Sequence, residues 1–259
     1  MENEGFRIKK AFSGGKVFIP FITCGYPDLE TTAACVREMV KNGAGIIELG
    51  IPFSDPTAEG VVIQDANLKA LQGGVTTDKV FELVKNLRQD VTVPLIFMTY
   101  ANVVFGYGAE KFISICADIG IDGMILPDLP FEEKEEFLPL CKKYGVNLIS
   151  MIAPTSENRI AMIAKESEGF LYIVSSLGVT GTRSKITTDL APMIKIVREN
   201  TNTPCAIGFG ISTPEQASSM SKLADGVIIG SAIIKILTKY GKDAAPYVGE
   251  FVSKIAGSL

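Results

Sequence analysis

The sequence predicts an α/β fold: a single (β/α)8 TIM barrel with a short N-terminal helix, one domain over residues 1–259. Three observations predict it. Eight short, continuously apolar runs recur along the chain, the pattern of strands buried on both faces. Each run is followed by helical periodicity, and that alternation builds a parallel sheet covered by helices. Eight such units in 259 residues match the number and size of a closed barrel. An open, doubly wound sheet is the alternative. It would want a Gly-rich dinucleotide turn after the first strand, and Cys24-Gly25-Tyr26-Pro27 is not one.

The elements follow in order. Residues 6–12 read as an amphipathic leading helix, ended by Gly14-Gly15. The first strand is 17–23. Asp28 then caps a helix running to about 42, closed by Gly43. The second strand, 45–50, leads into a loop of prolines and a Ser-Asp-Pro turn signal, and helical pattern resumes at Ile63. Helices are expected over 63–71 and 77–89, the latter capped by Thr76 or Thr77. Strand three is 94–98 and its helix 108–119; strand four is 123–126, and its helix, 131–143, has a solvated face of Glu and Lys. Strand five is 147–152 with helix 156–167, and strand six is 170–174. A Gly-, Thr- and Ser-rich loop over 177–186 precedes a helix at 188–200. Strand seven is 204–208, and Thr213-Pro214-Glu215 opens the next helix with Pro in its first turn. Strand eight, 226–229, runs through Gly230-Ser231 into closing helices that end near 256.

Composition narrows the function. A formal charge of −4 with no basic stripe argues against nucleic acid as a main partner. No apolar run approaches the roughly 20 residues needed to span a bilayer, so no membrane association is expected. Met1-Glu2-Asn3-Glu4 does not read as a secretory leader. The five cysteines, Cys24, Cys35, Cys116, Cys141 and Cys205, are scattered and read as reduced, buried thiols of a cytoplasmic protein. The chain contains no histidine. Ser-His-Asp and Cys-His schemes, His-ligated zinc and the usual facial-triad iron site therefore fall away. Proton transfer is left to Glu, Asp, Tyr, Lys or Cys.

Barrel active sites lie at the C-terminal ends of the strands. Glu48 stands at such an end and Glu59 in the loop beyond it, so topology turns both toward one rim as a candidate acid/base pair. Taken alone, Glu48 reads as an ion-pair partner or solvated strand-end residue, and Glu59 as a charge at a helix N-terminus. Phosphate in barrels is often held by the loops after the last two strands and a helix N-terminus. Here those loops begin Gly208-Phe209-Gly210-Ile211-Ser212 and Gly230-Ser231-Ala232-Ile233, although a plain strand-to-helix turn would use the same glycines. The long loop 175–183 reads as a lid or as a connector. A Schiff-base aldolase would need a Lys at a strand end; Lys185 and Lys235 lie beyond, in loop and helix.

Together Phe-Ile-Pro-Phe-Ile-Thr (18–23), Glu-Leu-Gly-Ile-Pro-Phe-Ser-Asp-Pro (48–56), Tyr-Ala-Asn (100–102), Pro-Asp-Leu-Pro (127–130), Gly-Val-Thr-Gly (178–181), Gly-Phe-Gly-Ile-Ser (208–212) and Gly-Ser-Ala-Ile (230–233) resemble the tryptophan synthase alpha subunit family, in order and over nearly the whole chain. The resemblance implies a lyase of tryptophan biosynthesis that splits indole-3-glycerol phosphate into indole and glyceraldehyde 3-phosphate without metal or organic cofactor. It implies Glu48 as the acid/base at the indole carbon and the glycerol hydroxyl, and Glu59 as the acid facing the indole N–H. It places Phe21, Tyr100, Tyr172, Thr180 and Phe209 around the substrate, and Gly181, Gly210, Gly230 and Ser231 on its phosphate. It also implies a beta subunit partner, in an α2β2 assembly, that carries pyridoxal phosphate and receives the indole. The loop with Phe53 and Pro56 and the loop at Thr180 would meet or gate that partner. The sequence departs from the family at one point: Thr57-Ala58-Glu59-Gly60-Val61 stands where the family shows Leu-Ala-Asp-Gly-Pro. The longer acid raises an alternative, a catalytically weakened subunit that activates the partner. A free-standing indole-producing lyase, or a barrel enzyme for another sugar phosphate, are further alternatives.

Overall fold

In this computed structural model of the chain, the structure describes residues 6–175, 190–208 and 210–259. The strands are β1 (Val17–Thr23), β2 (Ile47–Gly50), β3 (Leu95–Met98), β4 (Gly123–Ile125), β5 (Asn147–Leu148), β6 (Met151–Ile152), β7 (Leu171–Val174), β8 (Cys205–Gly208) and β9 (Gly226–Ile229). They form one sheet in the order β5-β4-β3-β2-β1-β9-β8-β7-β6, with every ladder parallel. The first strand pairs with both the second and the last, so the wall curls into a barrel. Nearly every strand residue is buried, because the inner positions fill the barrel and the outer ones face helices.

Nine strands replace the expected eight because strand five is broken. Its halves, β5 and β6, are separated by Ile149 and Ser150 and lean on opposite neighbours. The Ile149 amide donates to the Met124 carbonyl at 2.9 Å, while the Ser150 carbonyl accepts from the Tyr172 amide at 3.0 Å. The barrel therefore closes through the chain itself at this seam. Beside it lies a small hollow lined by Leu126, Phe131, Leu148, Met151 and Ile163 among others.

The helices among the described residues are α1 (Phe6–Ser13), α2 (Leu29–Lys41), α3 (Val61–Gln72), α4 (Thr77–Leu87), α5 (Ala101–Tyr107), α6 (Ala109–Asp118), α7 (Leu138–Tyr144), α8 (Glu157–Lys165), α9 (Ala191–Asn200), α10 (Pro214–Ser221), α11 (Ser231–Tyr240) and α12 (Ala245–Ala256). Caps fall where side chains can accept from orphan amides: Asp28 from Thr31, Thr76 from Lys79 and Thr213 from Gln216. One helix was not expected, and two expectations are corrected. Residues 101–107 form α5, although Val103-Val104-Phe105 favours strand by local preference; burial of Val104 in the core overrides it. The helix expected over 131–143 is a 3-10 turn over Phe131–Glu136 followed by α7, since Pro139 has no amide to continue a ladder and is tolerated only in a first turn. Helix α3 starts at Val61, two residues before the expected Ile63, directly after the N-cap Gly60.

The N-terminal ends of the strands are tied together by charge. Asp122, just ahead of β4, accepts from Arg88 at 2.6 Å, from Arg7 at 3.0 Å and from the Leu95 amide at 2.9 Å. Arg88 also donates to the carbonyls of Gly120, Val91 and Val93. Arg7 belongs to α1, whose Ile8 is fully buried and whose Phe12 ring lies 5.8 Å from that of Phe170, just ahead of β7. Helix α1 thus crosses and closes this end, leaving the opposite rim as the mouth.

Candidate active site

The mouth is built from strand ends. Phe21 of β1 is in register with Glu48 of β2, and Glu48 with Ile96 of β3. Tyr172 of β7 is in register with Met151 and Ala206. Phe21, Glu48, Met98, Tyr172 and Ile228 line one cavity, and the loops above add Glu59, Ile63, Gly210, Ile211, Gly230 and Ser231. Its lining is mostly apolar and includes two acids, a glycine pair and a serine.

Glycines seat the two rings. A Cβ on Gly50 would lie 2.6 Å from the Phe21 ring, and one on Gly230 would lie 3.0 Å from it. A Cβ on Gly208 would come within 2.5 Å of the Tyr172 hydroxyl. Each ring therefore lies flat on backbone that only glycine leaves bare. Gly210 has φ +87°, a left-handed conformation that turns the chain away from β8 toward α10. Gly230 is the N-cap of α11, and Ser231 is its first residue. First-turn amides have no partner within a helix, and the helix dipole adds positive potential there.

The two acids are buried by different elements. Glu48 is held by strand pairing on both sides and is 1% exposed. Among the described residues its Oε2 has no hydrogen-bond partner. Burial, reinforced by the charge of Glu59, pushes its carboxyl up to about 8. Glu59 is 5% exposed and arrives on the loop between β2 and α3. Burial pushes it up to about 7, opposed by a hydrogen bond from Asn67. Asn67 Nδ2 donates to Glu59 Oε2 at 2.5 Å, and Gln64 Nε2 donates to the Glu59 carbonyl at 2.7 Å. Two buried carboxyls within each other's field do not ionise together at neutral pH, and the one with a donor ionises first.

Of the residues singled out from sequence, Phe21, Glu48, Glu59, Tyr172, Gly210, Gly230 and Ser231 all line this cavity. Tyr100 serves the acid-bearing loop: its hydroxyl accepts from the Ala58 amide at 3.2 Å, and its ring stacks on Phe53 at 5.0 Å. Thr180, Gly181 and Phe209 lie outside the described residues, as does nearly all of the loop expected as a lid. Sequence reasoning missed Asn67. The available signal was its position: Ile63, Ala66, Asn67 and Ala70 share the buried face of α3, and a polar side chain on a core stripe asks for a partner. It also missed Ile63, Met98, Ile211 and Ile228, which carried no chemical mark beyond being apolar.

A broader depression opens at the other end of the barrel, lined by residues such as Lys9, Asn147, Arg198 and Asp225. Its acids are already paired, Glu168 with Lys142 and Asp225 with Arg198, and its cysteine, Cys141, is fully buried. Among the described residues no group of His, Cys, Asp or Glu side chains is arranged to hold a metal ion. No helix among them is long and apolar enough to cross a membrane.

Comparison with known proteins bears on this site. The family model for the tryptophan synthase alpha chain matches residues 8–256. A tryptophan synthase alpha chain of Lacticaseibacillus casei is 47% identical over 249 residues, covering 96% of this chain and 94% of the relative. Among solved structures, a Mycobacterium tuberculosis tryptophan synthase chain superposes with a TM-score of 0.89 at 30% identity, covering 98% of both chains. A chain of the tryptophan synthase complex of Pyrococcus furiosus does so with a TM-score of 0.85 at 31% identity, covering 94% of this chain and 98% of that one.

Proposed function

This chain belongs to the tryptophan synthase alpha chain family, and from that premise we propose that it is the lyase subunit that cleaves indole-3-glycerol phosphate to indole and glyceraldehyde 3-phosphate. The observation that carries the reading is the Glu48 carboxyl: buried, unpartnered at Oε2 among the described residues, and facing the same cavity as Glu59, Gly210, Gly230 and Ser231. A buried acid without a partner is costly unless a bound group completes it.

The chemistry follows from the two acids. Glu48, raised to about 8, holds its proton at neutral pH and delivers it to indole C3. The ring then carries positive charge, and Glu59, the first of the pair to ionise, accepts the indole N–H and balances that charge. The emptied Glu48 carboxylate takes the proton of the adjacent glycerol hydroxyl. That O–H pair becomes the aldehyde C=O, the carbon–carbon bond breaks, and its electrons restore the aromatic ring. Glu48 ends protonated, as it began, and no external acid, base or cofactor is consumed. Phe21 and Tyr172 flank the flat ring; Gly210, Gly230, Ser231 and the first turn of α11 face the phosphate, with Gly181, Thr180 and Phe209 assigned by resemblance.

The same reading gives the chain a beta subunit partner carrying pyridoxal phosphate, an α2β2 assembly, transfer of indole to that partner and a cytoplasmic setting. The partner is supported by the half-buried Phe53 and Pro56, apolar side chains on the loop that carries Glu59, and by Phe105, 51% exposed on α5. Indole release measured with saturating beta chain tests the reaction. Glu48→Gln should lower the rate by about 10²–10⁴-fold while beta-chain binding is kept. Turnover retained in that variant removes Glu48 from the mechanism. Glu59, in place of the family's Asp, favours a second reading, a weakened subunit that mainly activates its partner. Single-turnover cleavage with the partner saturating separates the two, since a weakened subunit leaves the substrate intact over many partner turnovers.

A further inference from the structure

Glu59 is delivered by a loop, yet the groups that hold it come from helix α3. Gln64, in the first turn, bonds the Glu59 carbonyl; Asn67, a turn later, bonds its carboxylate. Asn67 is 2% exposed, and its neighbour on that face, Ile63, lines the cavity itself. Asparagine is a poor choice for a helix interior, and a buried amide without a partner is unfavourable. Its place on an otherwise apolar stripe is accounted for by its bond to Glu59, the side-chain bond it makes among the described residues.

We infer that Asn67 is a positioning residue: it anchors the tip of the longer acid so that one Glu59 oxygen stays on helix α3 and the other is presented to the substrate ring. This rests on Glu59 being the acid that faces the indole N–H. The Glu59 side chain has one methylene more than the family's Asp, and without an anchor it would sample several rotamers, each a different distance from the ring. Bonded to a buried amide on a helix, it has one. The same bond is the influence that draws the Glu59 carboxyl downward against burial. The extra length of Glu59 is thus matched by the short reach of Asn67, and the pair has to be changed together.

The test measures indole release from indole-3-glycerol phosphate with saturating beta chain, as kcat, KM and pH profile. Asn67→Leu, similar in volume and without a donor, should lower kcat by about 10–100-fold with little change in KM, because the phosphate anchor is elsewhere. Its acid limb should also move to higher pH, since Glu59 then ionises later. A kcat within about twofold of wild type, or an unmoved acid limb, overturns the inference. A second arm guards against misfolding of Asn67→Leu. Glu59→Asp and Asn67→Gln should each lower kcat, and the double variant, which moves one methylene from the acid to the amide, should recover to within about threefold of wild type. A double variant no better than the product of the singles overturns it, as does Glu59→Asp raising the rate. An inactive wild type with active partner would instead reject the lyase reading itself, and this inference with it. Wild-type rates in Asn67→Leu beside an inactive Glu48→Gln would reject Asn67 alone.

Discussion

Glu48 and Glu59 make the stability of this molecule depend on pH in the sense opposite to most carboxylates. Their folded values, about 8 and about 7, both lie above the ordinary 4.5 of an exposed Glu. Below that ordinary value the acids are protonated in folded and unfolded chains alike and contribute nothing. As pH rises through the window from 4.5 to about 8 the unfolded chain releases protons that the folded one retains, so stability falls. Glu48→Gln removes one of the two acids and flattens that slope. Thermal melts across this range should show the variant melting higher than wild type at pH 8 and close to it at pH 5, by roughly 2–4 °C for each kcal/mol of relieved burial. Equal melting differences at both pH values would mean that Glu48 is not held neutral by the fold. At this scale the convergence of Glu48, Glu59, Gly210 and Gly230 on one cavity was legible, because strand ends in a barrel project to a known rim, whereas Tyr172 was named by resemblance alone. Asn67 was not read: its identity marks nothing until α3 is folded against the loop.

Helix α3 shows what the departure from the family means for an element. Val61 is its first residue and is 78% exposed. Gly60 before it has φ −83° and ψ 169°, the extended conformation that a following proline requires. Proline at this first position gives up an amide that has no partner within the helix and fixes φ at a helical value. Val61→Pro should therefore stabilise the protein by about 0.4–1 kcal/mol, seen as a higher denaturation midpoint with unchanged slope. A lower midpoint would show that the loop exit needs its present freedom. Elsewhere, periodicity located most elements to within a few residues. It failed where another force overrode local preference: core burial made α5 from a strand-like Val-Val-Phe, and Pro139 cut the helix expected over 131–143 into a 3-10 turn and α7.

For the whole molecule, closure at the end opposite the mouth depends on Asp122. Burial draws the Arg88 guanidinium down to about 10 against the pull of Asp122, so this is a desolvated pair. Asp122→Ala would strand Arg88 among backbone carbonyls and free Arg7 from the barrel, at an expected loss of about 3–5 kcal/mol. Chemical denaturation should register that loss, and a change below about 1 kcal/mol would mean the clamp is replaceable. Sequence could not show this clamp, since Arg7, Arg88 and Asp122 are distant along the chain and meet only once the barrel closes. Nor was the seam in strand five read, since Ser150 is a single polar residue within the otherwise apolar run 148–152. That seam gives the wall one place where adjacent staves are joined end to end instead of edge to edge. Among the described strands this is the one joint of the wall carried by covalent chain and not by a ladder of backbone hydrogen bonds.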